Sequence, residues 1–112
     1  MKLLGSLGRR WGEVMNEKLR SKETDFLFDA ILSLNNRDDC YSFFEDICTV
    51  AEIKAMAQRL LVAKMLNEKH TYTDISLKTG ASAATISRVA KCLNYGAEGY
   101  ITVLKRLGEI NG

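Results

Sequence analysis

Not one of the 112 residues is a proline, and the eight glycines gather near the two ends and in the 80s and 90s. With no residue that removes an amide donor, and no strong breaker between Ser21 and Leu77, the backbone is free to stay helical over that whole stretch. The predicted fold class is all-α. A chain of this length has room for one domain and one apolar core, so no separate catalytic domain is expected.

Helical periodicity divides the chain. Phe26, Leu27, Ala30, Ile31 and Leu34 follow the spacing of one helix face, with Ser21 or Thr24 able to cap its start. Asn35-Asn36-Arg37-Asp38-Asp39 interrupts with turn and cap residues, and Tyr41, Phe43, Phe44, Ile47 and Cys48 then make a short, very apolar second helix. Thr49 and Glu52 stand three apart, so the hydroxyl can accept a backbone N–H while the carboxylate reaches back. A third helix is predicted from there to about Asn67, through Ile53, Met56, Ala57, Leu60, Leu61, Ala63 and Met65, with Lys54, Arg59 and Lys64 on its polar side.

Thr71 and Asp74 repeat the capping arrangement and open a short helix over residues 72–79, whose apolar residues are Ile75 and Leu77. Gly80 ends it. Ser82 caps the next helix, residues 83–93, and Asn94-Tyr95-Gly96 is expected to stop that helix with a left-handed residue. A last helix carries Tyr100, Ile101, Val103, Leu104 and Leu107.

A formal charge of +2 is too small to argue for nucleic acid, so any case for DNA must be local. Cys40, Cys48 and Cys92 are odd in number and form no C-x-x-C pair, which suits reduced thiols of a cytoplasmic protein packed as small hydrophobes. With His70 the single histidine and the cysteines dispersed, no metal site is expected. The first residues hold no apolar run long enough for a signal peptide or a membrane span, and no membrane partner is expected. Residues 1–15 read as a flexible extension, with Arg9 and Arg10 as a DNA-contacting arm in the alternative; residues 16–108 read as the folded domain and 109–112 as a tail. No P-loop, nucleotide turn or metal cluster supports an enzyme, which leaves Cys48 or Cys92 as a lone nucleophile the remaining catalytic alternative.

Residues 71–93 carry the local case. A helix-turn-helix needs a buried apolar residue in its first helix, a small residue where the helices touch, a glycine at the turn, and apolar residues three apart on the inner face of the second helix. Ile75, Ser76, Gly80, Ile86 and Val89 fill those positions. With Ile86, Val89 and Leu93 turned inward, the outer face and small N-terminal end of the second helix present Ser82, Ala83, Ala84, Thr85, Ser87, Arg88 and Lys91. Small residues let that end approach base edges, and Arg88 or Lys91 can reach phosphate or guanine. Tyr72 and Thr73, opening the preceding helix, are placed for a phosphate. The alternative for this segment is a tight helix pair whose outer face only meets water.

Gly80-Ala81-Ser82-Ala83-Ala84-Thr85-Ile86-Ser87-Arg88 resembles the DNA-reading segment of the tryptophan repressor family, and Thr49-Val50-Ala51-Glu52, Arg59 and Tyr72-Thr73-Asp74-Ile75 fit as well. Leu93-Asn94-Tyr95-Gly96-Ala97-Glu98-Gly99-Tyr100 is similar to the TrpR-related YerC/YecD-type branch, and the resemblance spans about residues 17–107. It implies a six-helix fold in which two chains interlock into a homodimer, covering Phe26, Leu27, Ile31, Tyr41, Phe43, Phe44 and Ile47. Two reading heads would then face successive major grooves about 34–36 Å apart. The function it implies is sequence-specific transcription regulation, as a repressor, on double-stranded DNA.

In that family a corepressor sits between the reading head and the central helix. By the resemblance its positions correspond to Thr49, Arg59, Arg88, Val89 and Cys92. Two depart: Val89 stands where the tryptophan repressor has glycine, and Cys92 where it has the serine that receives the ligand's amino group. Valine puts about three carbons where a ring should lie, an overpacking that costs about 1–3 kcal/mol, and a thiol is a poorer partner for an ammonium than a hydroxyl. The protein is therefore expected to work without tryptophan: with no cofactor, or with a different small-molecule corepressor. A helical protein-interaction module that does not bind DNA is the alternative function.

Overall fold

Each of the first five helices starts where a short polar side chain meets a free amide. In the computed structural model, which describes residues 17–109, Ser21 accepts from the Thr24 N–H at 3.0 Å and opens α1 (Lys22–Leu32). Asn36 accepts from the Asp39 N–H at 2.8 Å and opens α2 (Arg37–Ile47). At Thr49 both arms of the capping box form, at 3.1 Å to the Glu52 N–H and 2.8 Å from the Thr49 N–H to the Glu52 carboxylate, and α3 follows (Val50–Asn67). Thr71 caps α4 (Tyr72–Thr79) and Ser82 caps α5 (Ala83–Tyr95), each accepting an N–H at 3.1 Å. The last helix, α6 (Gly99–Arg106), starts differently, from Glu98 in a left-handed conformation with φ 68° and no side-chain cap. The described residues hold these six helices and no strand, the all-α class expected.

Residues 1–16 and 110–112 lie outside the described part, and with them the expected extension, its Arg9-Arg10 arm and the end of the tail. Glu109, expected to begin that tail, is tied in: its N–H donates to Leu104 O at 2.9 Å and its carboxylate meets Lys64 Nζ at 3.4 Å.

The core lies in the C-terminal two thirds. Val62, Ala63 and Met65 of α3, Ile75 of α4, Ala81 of the turn, Ile86 and Val89 of α5 and Leu104 of α6 close on one another, with Leu66, Leu93 and Tyr100 against them. Neither α1 nor α2 has a buried residue. The radius of gyration, 15.6 Å, exceeds the ~12–13 Å of a compact domain of this length, because the two N-terminal helices stand away from the core.

Three readings from periodicity change. The second helix takes in Arg37, Asp38 and Asp39 as its first turn, since Asn36 caps it and two carboxylates suit the positive end of the helix dipole. The face of α3 that enters the core is Val62, Ala63 and Met65, while Met56, Leu60 and Leu61 remain exposed, as does Leu77 of α4. At Gly96 the backbone is extended (φ −88°, ψ −156°) and not left-handed. Glycine is needed there for close approach: a Cβ would lie 2.5 Å from the Cys92 carbonyl oxygen.

Candidate nucleic-acid interface

The turn between α4 and α5 is held from several sides. Gly80 takes φ 76° and ψ 5°, a conformation that costs an L side chain about 1–2 kcal/mol, and its N–H closes α4 on Ser76 O at 2.9 Å. Ser76 Oγ donates to Ala81 O at 3.0 Å. Thr79 Oγ1 donates to Ile75 O at 2.7 Å and accepts from the Ala81 N–H at 3.1 Å. The Gln58 amide of α3 donates to Thr79 O at 3.1 Å, across 21 residues of sequence. Ala81, 2% exposed, plugs the turn into the core. These bonds satisfy backbone groups that a helix end leaves unpaired, so the angle between α4 and α5 is fixed by local chemistry and by packing together.

That angle decides what α5 shows. Ile86 and Val89 face inward, and Leu93 packs half-buried behind them. The opposite stripe, Ala84, Ser87, Arg88 and Lys91, follows i, i+3, i+4, i+7 and is exposed along its length. Ala83 is exposed beside it, Thr85 is half-buried, and the Ser82 and Thr85 hydroxyls lie 3.1 Å apart at the cap. No acidic residue stands in the first turn of α5. Tyr72 and Thr73 are exposed at the start of α4, the other helix of the pair. The structure thus collects the residues expected to touch DNA into one protruding feature: small at the tip, cationic one to two turns further along.

The positions matched to a corepressor are more scattered in character. Thr49 is exposed and engaged as the cap of α3, Arg59 is half-buried, Arg88 and Cys92 are exposed, and Val89 is 1% exposed within the core. Of the residues matched to a dimer interface, Phe26, Tyr41 and Ile47 are exposed, at 76%, 69% and 51%. Leu27, Ile31, Phe43 and Phe44 are half-buried, the last two rings packed edge to face with centroids 5.5 Å apart. Phe28, Leu32, Val50 and Leu61 extend the exposed apolar surface beyond the residues expected. Arg37, Cys40, Tyr41 and Phe44 of α2 face Val50, Ile53 and Ala57 of α3 across an open groove of about 590 Å³.

Gln58 and Thr79 are the residues that sequence reading missed. Gln58 looks like any polar position on a helix, and nothing in local spacing connects it with a carbonyl 21 residues away. Among the described residues no three His, Cys, Asp or Glu side chains converge as a metal site, and no helix is long and apolar enough to cross a membrane.

A short helix, a glycine turn locked by side-chain bonds, and a second helix carrying small polar residues and two cations outward make a helix-turn-helix. The Trp repressor protein family profile matches residues 22–108, and the chain belongs to that family of DNA-binding regulators. It is 56% identical over 93 residues to the uncharacterised protein YerC of Bacillus subtilis, covering 83% of this chain and 89% of YerC. Among solved structures it is similar to a TrpR-like protein from Eubacterium eligens, with TM-score 0.82 and 55% identity over 87% of this chain and all of the other. A candidate Trp repressor from Staphylococcus aureus matches with TM-score 0.82 and 49% identity, over 87% of this chain and 97% of its own. The fold is the TrpR-like all-α fold, of the branch that includes YerC.

Proposed function

We propose that this protein is a sequence-specific, cytoplasmic transcription regulator, acting as a repressor, that binds double-stranded DNA as a homodimer and does not respond to tryptophan. The observation that carries the DNA reading is the exposed stripe Ala84, Ser87, Arg88 and Lys91 on a helix whose opposite face is buried. Ala84 offers a methyl to thymine, Ser87 and Thr85 offer hydroxyls, and the two cations reach phosphate or a guanine edge. Tyr72 and Thr73 hold the backbone of the duplex, with Ser82 and Ala83 leaving room at the helix tip.

The dimer reading rests on apolar surface that one chain leaves in water: α1 and α2 bury nothing fully, and Phe26, Leu32 and Tyr41 are at least 69% exposed. A second copy lying on α1 and α2 covers that surface and sets two reading heads on one face. Independence from tryptophan rests on Val89, whose side chain fills core space where a glycine would leave room, and on Cys92 in place of a hydroxyl. Residues 16–108 form the functional unit.

Selection of bound sites from a random duplex library, followed by anisotropy titration of the selected duplex at several salt concentrations, tests the reading. Binding is expected to weaken steeply with salt, and removing one phosphate-neutralising cation, by Arg88→Ala or by Lys91→Ala, reduces the log–log slope by about 0.9. Salt-insensitive binding to a protein partner, with no duplex selected, refutes it in favour of an interaction module. Micromolar heat of binding for L-tryptophan refutes the independence from that ligand.

A further inference from the structure

We infer that Gln58 is a positioning residue for DNA reading: its amide pins the α4–α5 turn to the central helix and so sets the pose of the reading head. The inference rests on the DNA-binding reading above and deepens it. On α3, Gln58 lies one turn before Val62 on the same face, the face that continues through Val62 and Met65 into the core. It is the polar end of that seam. Its Nε2 donates to Thr79 O at 3.1 Å, in a part-buried setting. Thr79 O belongs to the last residue of α4, whose carbonyl has no partner further along the helix.

The same amide lies over the turn itself. A Cβ built on Gly80 would come no nearer than 4.0 Å to Gln58 Nε2, so the amide covers the left-handed residue without crowding it. Within the turn, Ser76 Oγ and Thr79 Oγ1 tie α4 to Ala81. Those two side chains fix the bend between α4 and α5 but not the orientation of the pair. Among the described residues, the Gln58 bond is the side-chain hydrogen bond that joins the head to another helix; the rest of that junction is apolar packing, which resists sliding and rotation less directionally.

On its opposite side α3 carries exposed Met56 and Leu60. In a dimer whose covered surface extends from α1 and α2 onto that side of α3, the Gln58 bond connects the shared centre to each head. The spacing of the two heads then depends on it.

The test uses the full chain and two variants: Gln58→Met, of similar shape without a donor, and Gln58→Asn, which keeps the amide but is one methylene too short. Three quantities are read: amide hydrogen exchange at Gly80 and Ala81, melting temperature, and affinity for the selected duplex and for versions with the half-site spacing changed by one base pair. Loss of one such bond is expected to speed exchange at the two turn amides and to weaken binding of the selected duplex by about 2- to 12-fold. Discrimination against the altered spacings should narrow, with little change in binding to random duplex. Unchanged exchange and spacing discrimination in both variants overturns the inference. So does an equal loss on every duplex that follows a fall in melting temperature, the mark of a purely structural role. If the unsubstituted protein binds no duplex, the DNA reading fails on its own, and the exchange at Gly80 and Ala81 still decides whether Gln58 holds the turn.

Discussion

Val89 is the position at which core packing bears on the proposed independence from tryptophan, and replacing it gives a quantitative test. The side chain is 1% exposed and sits with Ile75, Ile86, Val62 and Leu104 in the core. Val89→Ala removes two buried methyl carbons. At about 0.8 kcal/mol of transfer free energy for each carbon, and with a cavity contribution because the neighbours relax only in part, the expected loss is about 1.5–3 kcal/mol. Val89→Gly removes one more carbon and adds the helix-interior cost of glycine, about 0.8–1.0 kcal/mol relative to alanine, for a total of about 3–5 kcal/mol. A domain of this size has only about 5–15 kcal/mol in all, so the glycine variant should be visibly crippled. Urea unfolding followed by far-ultraviolet circular dichroism measures both losses. Protein concentration is held fixed, because the stability of the proposed dimer depends on it. A loss below about 0.5 kcal/mol for both variants would refute the placement of Val89 in the core. With it would fall the physical reason for separating this protein from a tryptophan sensor.

At Gly80, alanine meets no steric obstacle but must adopt φ 76°; the variant should lose about 1 kcal/mol, and Gly80→Asn less than that, in the same urea titration. Phe26→Asp places a carboxylate in the surface proposed to be covered, so sedimentation equilibrium should show a shift from dimer to monomer; an unchanged mass removes α1 from the interface. Glu68 is held below its ordinary pKa of 4.5, first by the hydrogen bond from Lys64 at 3.1 Å. A lowered carboxyl pKa stabilises the fold above that value, and the contribution disappears as pH falls through the folded pKa. The raised pKa of Lys64, also due first to Glu68 and helped by Glu109, has the opposite sign: its contribution is complete below 10.5 and is lost as pH rises through the folded value. Glu68→Gln should flatten the acid limb of the stability profile below about pH 4.5 and leave the neutral plateau nearly unchanged, since exposed pairs are weak.

What the sequence by itself determined is the local grammar. Ser21, Thr49, Thr71 and Ser82 cap their helices, and Gly80 turns the chain, because each of these depends on residues within four positions and on elementary backbone sterics. The two faces of α5 were legible for the same reason: Ile86 and Val89 three apart, with Ser87, Arg88 and Lys91 opposite, fix which side turns inward. Tertiary structure decided what needs a partner from far along the chain. Apolar residues sit on nearly every side of α3, so periodicity cannot tell that Val62 enters the core while Leu60 and Leu61 stay outside; only α4, α5 and α6 closing on one face settle it. Gly96 is glycine because Cys92 O lies against it, and the left-handed turn falls at Glu98, a residue with no composition signal for it. Gln58 finds Thr79 only once α3 and α4 are side by side. Local rules could therefore build each helix of the head, but only packing could aim it.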